Sequence, residues 1–248
     1  MSGFRDHFSH DSAGYAAHRP AYPPELFVWL AEQAPARAMA WDCATGSGQA
    51  ALGLAAHFER VLATDASPQQ VAHAVCHPRV EYRVATAEAS GLPAASIDLV
   101  TVAQAAHWFD LPRFSGEVRR VVRPGGLVAL WGYERLLVDA RVDAVIERFY
   151  TERLAGCWPP ERRHVETAYR DLDFPFTPCP TPGFTMTAVW DLTELLGYIG
   201  TWSAVQRYRE LRVADPMPGL REDLHKVWGS PGTRKVIKWP LFMRLGRV

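Results

Sequence analysis

Ala38-Met-Ala-Trp-Asp-Cys-Ala-Thr-Gly-Ser-Gly-Gln-Ala-Ala-Leu-Gly-Leu54 decides how this chain is read. Residues 38–41 form a short apolar run, expected to be a buried strand. The chain then turns on Asp42, Gly46 and Gly48, and residues 49–57 have the composition of a helix. A strand, a glycine turn and a helix N-terminus together make a site for a nucleotide-like ligand, because the glycines let backbone approach where a Cβ would collide. The spacing Gly46-x-Gly48-x-x-Ala51 also fits the dinucleotide fingerprint, and a purely structural turn is the plain alternative.

The same alternation continues downstream. Residues 60–65 read as a second strand ending on Asp65, with Ser67 and Pro68 starting a helix. An acid at that strand end suits a bidentate hydrogen bond to ribose hydroxyls, against the plain reading of a loop aspartate. Residues 79–84 are a third strand, and Gly91-Leu-Pro93 is a turn. Residues 97–103 are a β-branched run expected to be buried on both faces. Gln104-Ala-Ala-His-Trp-Phe-Asp110 follows at its C-terminal end, where open α/β sheets bind ligands. A helix over 111–121, a turn at Arg123-Pro-Gly-Gly126 and a fifth strand over 127–131 complete a doubly wound parallel sheet.

Upstream, Pro23 and Pro24 open a helix whose apolar stripe is Leu26, Phe27, Leu30 and Ala31. Residues 1–22, with Tyr15, Arg19 and Tyr22, are either a floppy tail or a flap over a ligand. Beyond Tyr133 the pattern changes. A helix over 138–154 precedes a proline-rich irregular stretch over 158–182. A strand over 184–190, helices over 192–209 and 219–229, and a strand over 235–245 follow. Pro240 suggests that the last strand is an edge, a bulge or a strand start. The two late strands suit a sheet closed by an antiparallel strand.

The chain has 248 residues, with 27 Lys plus Arg against 27 Asp plus Glu and no long basic run, which argues against a nucleic-acid groove. No charged-then-apolar leader and no run of 18 apolar residues occurs, so neither export nor membrane spanning is expected. The four cysteines lack metal-finger spacing, and a reducing cytoplasm is the expected home. A monomer or homodimer is expected.

Asp42-x-Ala44-x-Gly46-x-Gly48, then Asp65, then Ala87-Glu88, then Arg-Pro-Gly-Gly before a fifth strand, resembles the class I S-adenosylmethionine-dependent methyltransferases. The resemblance spans about residues 15–133. Arg19-Pro-Ala-Tyr-Pro-Pro24, residues 103–110 and residues 197–204 resemble a narrower branch of small-molecule enzymes similar to trans-aconitate methyltransferase. It implies one Rossmann-like α/β domain with a mostly parallel seven-stranded sheet, an antiparallel late strand and a helical lid. The expected divisions are a flap over 1–22, a cofactor-binding core over 23–133, a lid over 134–183, and closing strands and helices over 184–248. Binding S-adenosylmethionine, and its product S-adenosylhomocysteine, would fall to Asp42, Gly46 and Gly48 around the methionyl part. Asp65 with Ala66 would hold the ribose, Gln70 or Val71 would cover an adenine face, and Ala87 and Glu88 would flank the exocyclic amine. Gln104 would border the methionyl end, with Tyr15 and Arg19 contributing from the flap. The departure is Ala44, where the family usually has its first glycine. A dehydrogenase reading would leave Asp42, the Arg-Pro-Gly-Gly turn and the late antiparallel strand unexplained.

Methyl transfer from a sulfonium is an in-line displacement, so positioning supplies much of the rate. His107 is the candidate catalytic group: either a base or a hydrogen-bonding part of the pocket wall. Tyr22, Trp108, Tyr133 and Trp202 are candidate acceptor contacts beside it. A carboxylate oxygen is the expected methyl acceptor. N- or O-methylation of a heteroaromatic product, or cofactor binding without turnover, are the alternatives. His73, Cys76 and His77 could share a helix face, as ligands or as a solvated helix end; no metal is expected. Arg207 and Arg209 are a possible carboxylate clamp or simply solvent-facing.

Overall fold

A computed structural model describes residues 20–230 and 232–248. Tyr15, Arg19 and most of the segment expected to be a flap or tail lie outside the described residues.

The first half alternates as expected. Helix α1 (Pro24–Gln33) precedes β1 (Met39–Cys43), α2 (Gln49–Ala55), β2 (Arg60–Asp65), α3 (Pro68–Ala72), β3 (Val80–Val84), β4 (Ile97–Ala103), α4 (Leu111–Val121) and β5 (Val122–Tyr133). The strands pair in parallel in the order β3-β2-β1-β4-β5. Successive side chains on a strand point to opposite faces, and here both faces are covered. Ala40, Val61, Leu99 and Leu127 pack with Leu26, Leu30 and Leu54 on one side. Their neighbours Trp41, Leu62, Val100 and Val128 pack with Phe114 and Val118 on the other. That is why residues 97–103 carry an unbroken apolar run rather than an alternating one.

Arg123-Pro-Gly-Gly126 is not a turn between elements but a bulge within β5. Ile97 pairs with Val122, and Leu99 next pairs with Leu127, so the four residues are looped out of register, with Gly125 at φ +79°. Asp98 ties this bulge down. Its fully buried carboxylate accepts the backbone amides of Ala38 and Met39 at 2.9 and 2.8 Å and lies 2.8 Å from the Arg123 guanidinium.

The second half adds α5 (Ala140–Arg148), a π-helical turn (Phe149–Arg153), α6 (Arg162–Glu166), β6 (Thr177–Cys179), β7 (Phe184–Trp190), α7 (Leu192–Gly200), α8 (Ser203–Arg212), α9 (Met217–Trp228) and β8 (Lys235–Arg247). The short β6 makes eight strands among the described residues where seven were expected. It lies in the proline-rich stretch, which has no periodicity to announce it. The helix read over 192–209 is two helices. Trp202 is extended (φ −64°, ψ 136°), and Thr201 Oγ1 donates to Tyr198 O at 2.7 Å, closing the first one.

Strand β8 runs antiparallel to β5 over Leu241–Arg247, with β7 and β6 on its far side, so it is interior rather than an edge. Pro240 is accommodated by position. Lys238 exchanges both backbone hydrogen bonds with Leu137 on the β5 side, and strand alternation turns the nitrogen of Pro240 the same way. The ladder to β5 begins only at Leu241, so the missing N–H falls in the gap and breaks no ladder bond.

Gly53 sits inside α2, where alanine would normally help by about 1 kcal/mol. A Cβ there would lie 2.3 Å from the ring of Phe27, which is buried on α1. Overpacking costs about 1–3 kcal/mol and wins. Gly53→Ala is therefore expected to lower the melting temperature by about 2–4 °C in calorimetry, whereas a helix limited by propensity would gain stability.

Candidate active site

The sheet order places β1 between β2 and β4, and the direction of winding reverses there; ligands of open α/β sheets bind outside the strand ends at such a point. Asp42 stands at the end of β1, opposite Thr101 of β4, and is 1% exposed. Its Oδ1 accepts the Thr101 hydroxyl at 2.7 Å and its Oδ2 accepts the Thr45 hydroxyl at 2.6 Å. Burial is the dominant influence and pushes its pKa up to about 6, with the two threonine hydroxyls opposing and Asp65 adding to the rise.

Between Asp42 and α2 the backbone enters the left-handed region at Ala44 (φ +55°), Gly46 (φ +57°) and Gly48 (φ +91°). At Ala44 this costs about 1–2 kcal/mol, the physical reason why glycine is the easier choice there. Gly48 is also needed for space, since a Cβ would fall 2.2 Å from Tyr82 Oη. The amide of Gly46 donates to Asp65 Oδ2 at 2.9 Å, and that of Ser67 to Asp65 Oδ1 at 2.9 Å. The acid at the end of β2 thus faces the glycine loop. Gln70 is buried with its amide oxygen on the Gly46 side of α3, and Ala66 is half-buried beside Asp65. Ala87 is buried. Glu88 accepts the backbone amide of Asp110 at 3.0 Å, which brings the loop after β3 to the N-cap of α4. Gln49 reaches out of α2 to donate to Pro20 O at 2.9 Å, so the described chain begins beside this loop.

The β4 end is built more tightly than its sequence suggests. Gln104 has φ +58°, and its side-chain amide spans the end of β5: Nε2 donates to Tyr133 O at 3.1 Å and Oε1 accepts from Tyr133 N at 2.8 Å. Gly132 leaves room for it, since a Cβ there would meet Gln104 Oε1 at 2.5 Å. Tyr133 is buried, and Tyr22 packs edge-on to Trp131 at 5.6 Å.

His107 follows in a short 3₁₀ turn (Ala106–Trp108), with its ring 4.8 Å from that of Trp108. Its Nδ1 lies 2.8 Å from Tyr169 Oη. Burial first, then the nearby Arg162 and His164, push its pKa down to about 3. Trp202 stands farther along the same side, in a cluster with Trp158 (5.7 Å) and Tyr150 (6.0 Å). Arg162 connects the two regions: it lies over the Trp158 ring at 5.2 Å and donates to Glu134 O at 2.7 Å and Tyr150 Oη at 3.1 Å.

Sequence reasoning did not single out Tyr169 or Arg162. Both lie in the stretch after Tyr133, where no period or motif marks a functional side chain. Helix α3 ends at Ala72, so His73, Cys76 and His77 do not share one helical face, and Arg209 pairs with Asp215 at 3.0 Å at the surface. Among the described residues no helix is long and apolar enough to cross a membrane.

Residues 41–130 match the family model for a methyltransferase domain. A Dictyostelium discoideum protein described as a methyltransferase is 32% identical over 98% of this chain and 95% of its own. The chain belongs to the methyltransferases. A solved structure from Anaeromyxobacter dehalogenans, described as a type II methyltransferase, is 50% identical, with a TM-score of 0.88 over 92% of this chain and 97% of that one. The YcgJ protein of Bacillus subtilis, at 18% identity and a TM-score of 0.51, shares the fold. The methyltransferase thus has the class I architecture throughout its described length, with β8 as the antiparallel late strand.

The raised pKa of Asp42 makes a stability claim. Its ordinary value is 3.8 and its folded value about 6, so the stabilisation is fully present below about pH 4 and is lost as pH rises through 6. Asp42→Asn removes that loss. The variant is expected to melt above the wild type at pH 8, by up to about 3 kcal/mol in free energy, with the advantage shrinking toward pH 4. Thermal melts across this range that show no pH-dependent difference would contradict the assignment of a strained, ionised Asp42.

Proposed function

We propose that this methyltransferase uses S-adenosylmethionine and methylates a small molecule, with a carboxylate oxygen as the acceptor. When bound, the cofactor supplies a methyl group already activated on a sulfonium. The observation that carries this reading is the meeting of Asp65, the left-handed glycine loop and Asp42 at the switch point of the sheet. The donor set fits. An ionised carboxylate at a strand end, set against the glycine loop by the amides of Gly46 and Ser67, is the acceptor type that ribose hydroxyls take. Gly46 and Gly48 offer backbone without Cβ atoms, and no third glycine is needed because the ligand has no pyrophosphate. Asp42 and the Gln104 turn border the place where the methionyl end would lie.

The carboxylate acceptor rests on the state of His107. A general base works best with a pKa near the operating pH. At about 3, His107 is some four units too weak for that task, whereas a carboxylate arrives ionised and needs no base. The chain's part is then to hold the acceptor oxygen in line with the methyl group, which is where positioning contributes most. Arg162 adds positive charge on the acceptor side. The cluster of Tyr150, Trp158 and Trp202 favours a second reading, a flat heteroaromatic acceptor held against those rings. Residues 134–183, which supply Tyr150, Trp158 and Arg162, would act as the lid over the acceptor.

Two outcomes test this. Asp65→Ala is expected to weaken S-adenosylhomocysteine binding at least about tenfold in calorimetry, because charge-assisted bonds to the ribose are lost. Unchanged affinity, or tight NADH binding by the wild type, would contradict the cofactor. With a carboxylate acceptor found by a product screen, kcat is expected to be flat between about pH 6 and 8. An acid limb near the imidazole range would restore His107 as a base.

A further inference from the structure

We propose that Tyr169 is a positioning residue that locks His107 as the tautomer protonated on Nε2, so that the imidazole donates a hydrogen bond to the methyl acceptor. The inference deepens the proposed reaction and rests on it for the identity of the acceptor, but the tautomer itself follows from hydrogen-bond valence.

Tyr169 is fully buried, and its phenol stays protonated because burial pushes its pKa up. The one hydrogen bond of that phenol among the described residues is to the His107 ring, with Nδ1 at 2.8 Å. A phenolic oxygen has two lone pairs and one proton. A buried hydroxyl proton left without an acceptor is costly, and His107 Nδ1 is the acceptor within hydrogen-bond distance, so the phenol donates to it. An imidazole that accepts on Nδ1 and is neutral carries its own proton on Nε2. The titratable and charged groups facing it are Tyr169, Arg162 and His164, and charge on Arg162 or His164 opposes its protonation.

The backbone around Tyr169 is held as a functional constraint would require. Ala168 and Tyr169 are consecutive non-glycine residues with φ of +54° and +58°. Such strain persists only where surroundings over-determine it. Here Tyr169 N donates to His164 O at 2.8 Å, and Arg244 Nη1, from the interior strand β8, donates to Tyr169 O at 2.8 Å and Leu172 O at 2.7 Å. The ring stands edge-on to Phe242 of the same strand at 4.9 Å. Strand β8 thus props a residue of the irregular stretch beneath His107. The sequence places the two residues 62 positions apart, and β8 supports Tyr169 where they meet.

The test uses the full-length enzyme with 15N-labelled histidine, and His107→Gln to assign the signal. In long-range 1H–15N spectra without substrate, wild-type His107 is expected to show a bare Nδ1 and a protonated Nε2 between about pH 5 and 8. In Tyr169→Phe the two tautomers are expected to mix and the titration to move up. The value of kcat is expected to fall at least about tenfold, with S-adenosylhomocysteine affinity unchanged. His107→Gln keeps a donor near the Nε2 position without basicity. It is expected to retain at least about a third of wild-type kcat/KM, where His107→Ala loses about tenfold or more. A wild-type imidazole protonated on Nδ1 would overturn the proposal. So would a Gln variant as impaired as the Ala variant, a readout that stands even if Tyr169→Phe does not fold. Absence of any methyl transfer from S-adenosylmethionine would instead fault the proposed reaction, and leaves the tautomer to be decided by the spectra.

Discussion

The buried carboxylate of Asp42 is the constraint around which this structure is arranged. A charge on a central strand must have partners, because an unpaired one is too costly to keep. The partners here are two hydroxyls, Thr45 in the following loop and Thr101 on the neighbouring strand. One carboxylate therefore fixes the start of the glycine loop relative to β4, on either side of the switch point. The loop, once anchored, turns left-handed three times and delivers the Gly46 amide to Asp65, which joins the β2 end to the same place. Three strand ends are held together by polar bonds at the one edge of the sheet where the apolar layers stop. The cost is the strain and the raised pKa of Asp42, which a protein built only for stability would not retain.

The other side of the site is held by different means. Gln104 clamps the end of β5 through its backbone, and β8 carries Phe242 and Arg244 against Tyr169. The antiparallel strand is thus more than a closure of the sheet. Lying between β5 and β6/β7, it supports the segment that reaches over the β4 end. In the proposed reaction, β1, β2 and their loops would form a polar cofactor side and residues 107–108 and 150–202 an aromatic acceptor side, a division of labour that would let acceptors change while the methyl donor stays the same.

How much of this was legible in the sequence follows from where local pattern ends. Strands β1, β2, β4 and β5 have buried runs and glycine or proline punctuation, so their order, and the places of Asp42, Gly46, Gly48 and Asp65, could be read directly. The left-handed turn at Ala44 was visible only as a departure from glycine. Asp98 and the looped-out Arg123-Pro-Gly-Gly126 were not legible as a linked pair, because a strand register is a tertiary fact. Between 158 and 182 prolines interrupt every period, so β6 and the strained Tyr169 left no trace. His107 was identified by its place after β4, but its partner could not be, since the pairing is supported by β8 packing from the far end of the chain. The break at Trp202 was hidden by a continuous apolar face on both sides of it.

The most direct measurement is the position of S-adenosylhomocysteine in a crystal of this protein. The account predicts the ribose hydroxyls on Asp65, the homocysteine portion over the Gly46–Gly48 backbone beside Asp42 and Gln104, and the sulfur directed toward the space next to His107. A ligand bound away from the β1, β2 and β4 ends, or one with its ribose turned from Asp65, would contradict it.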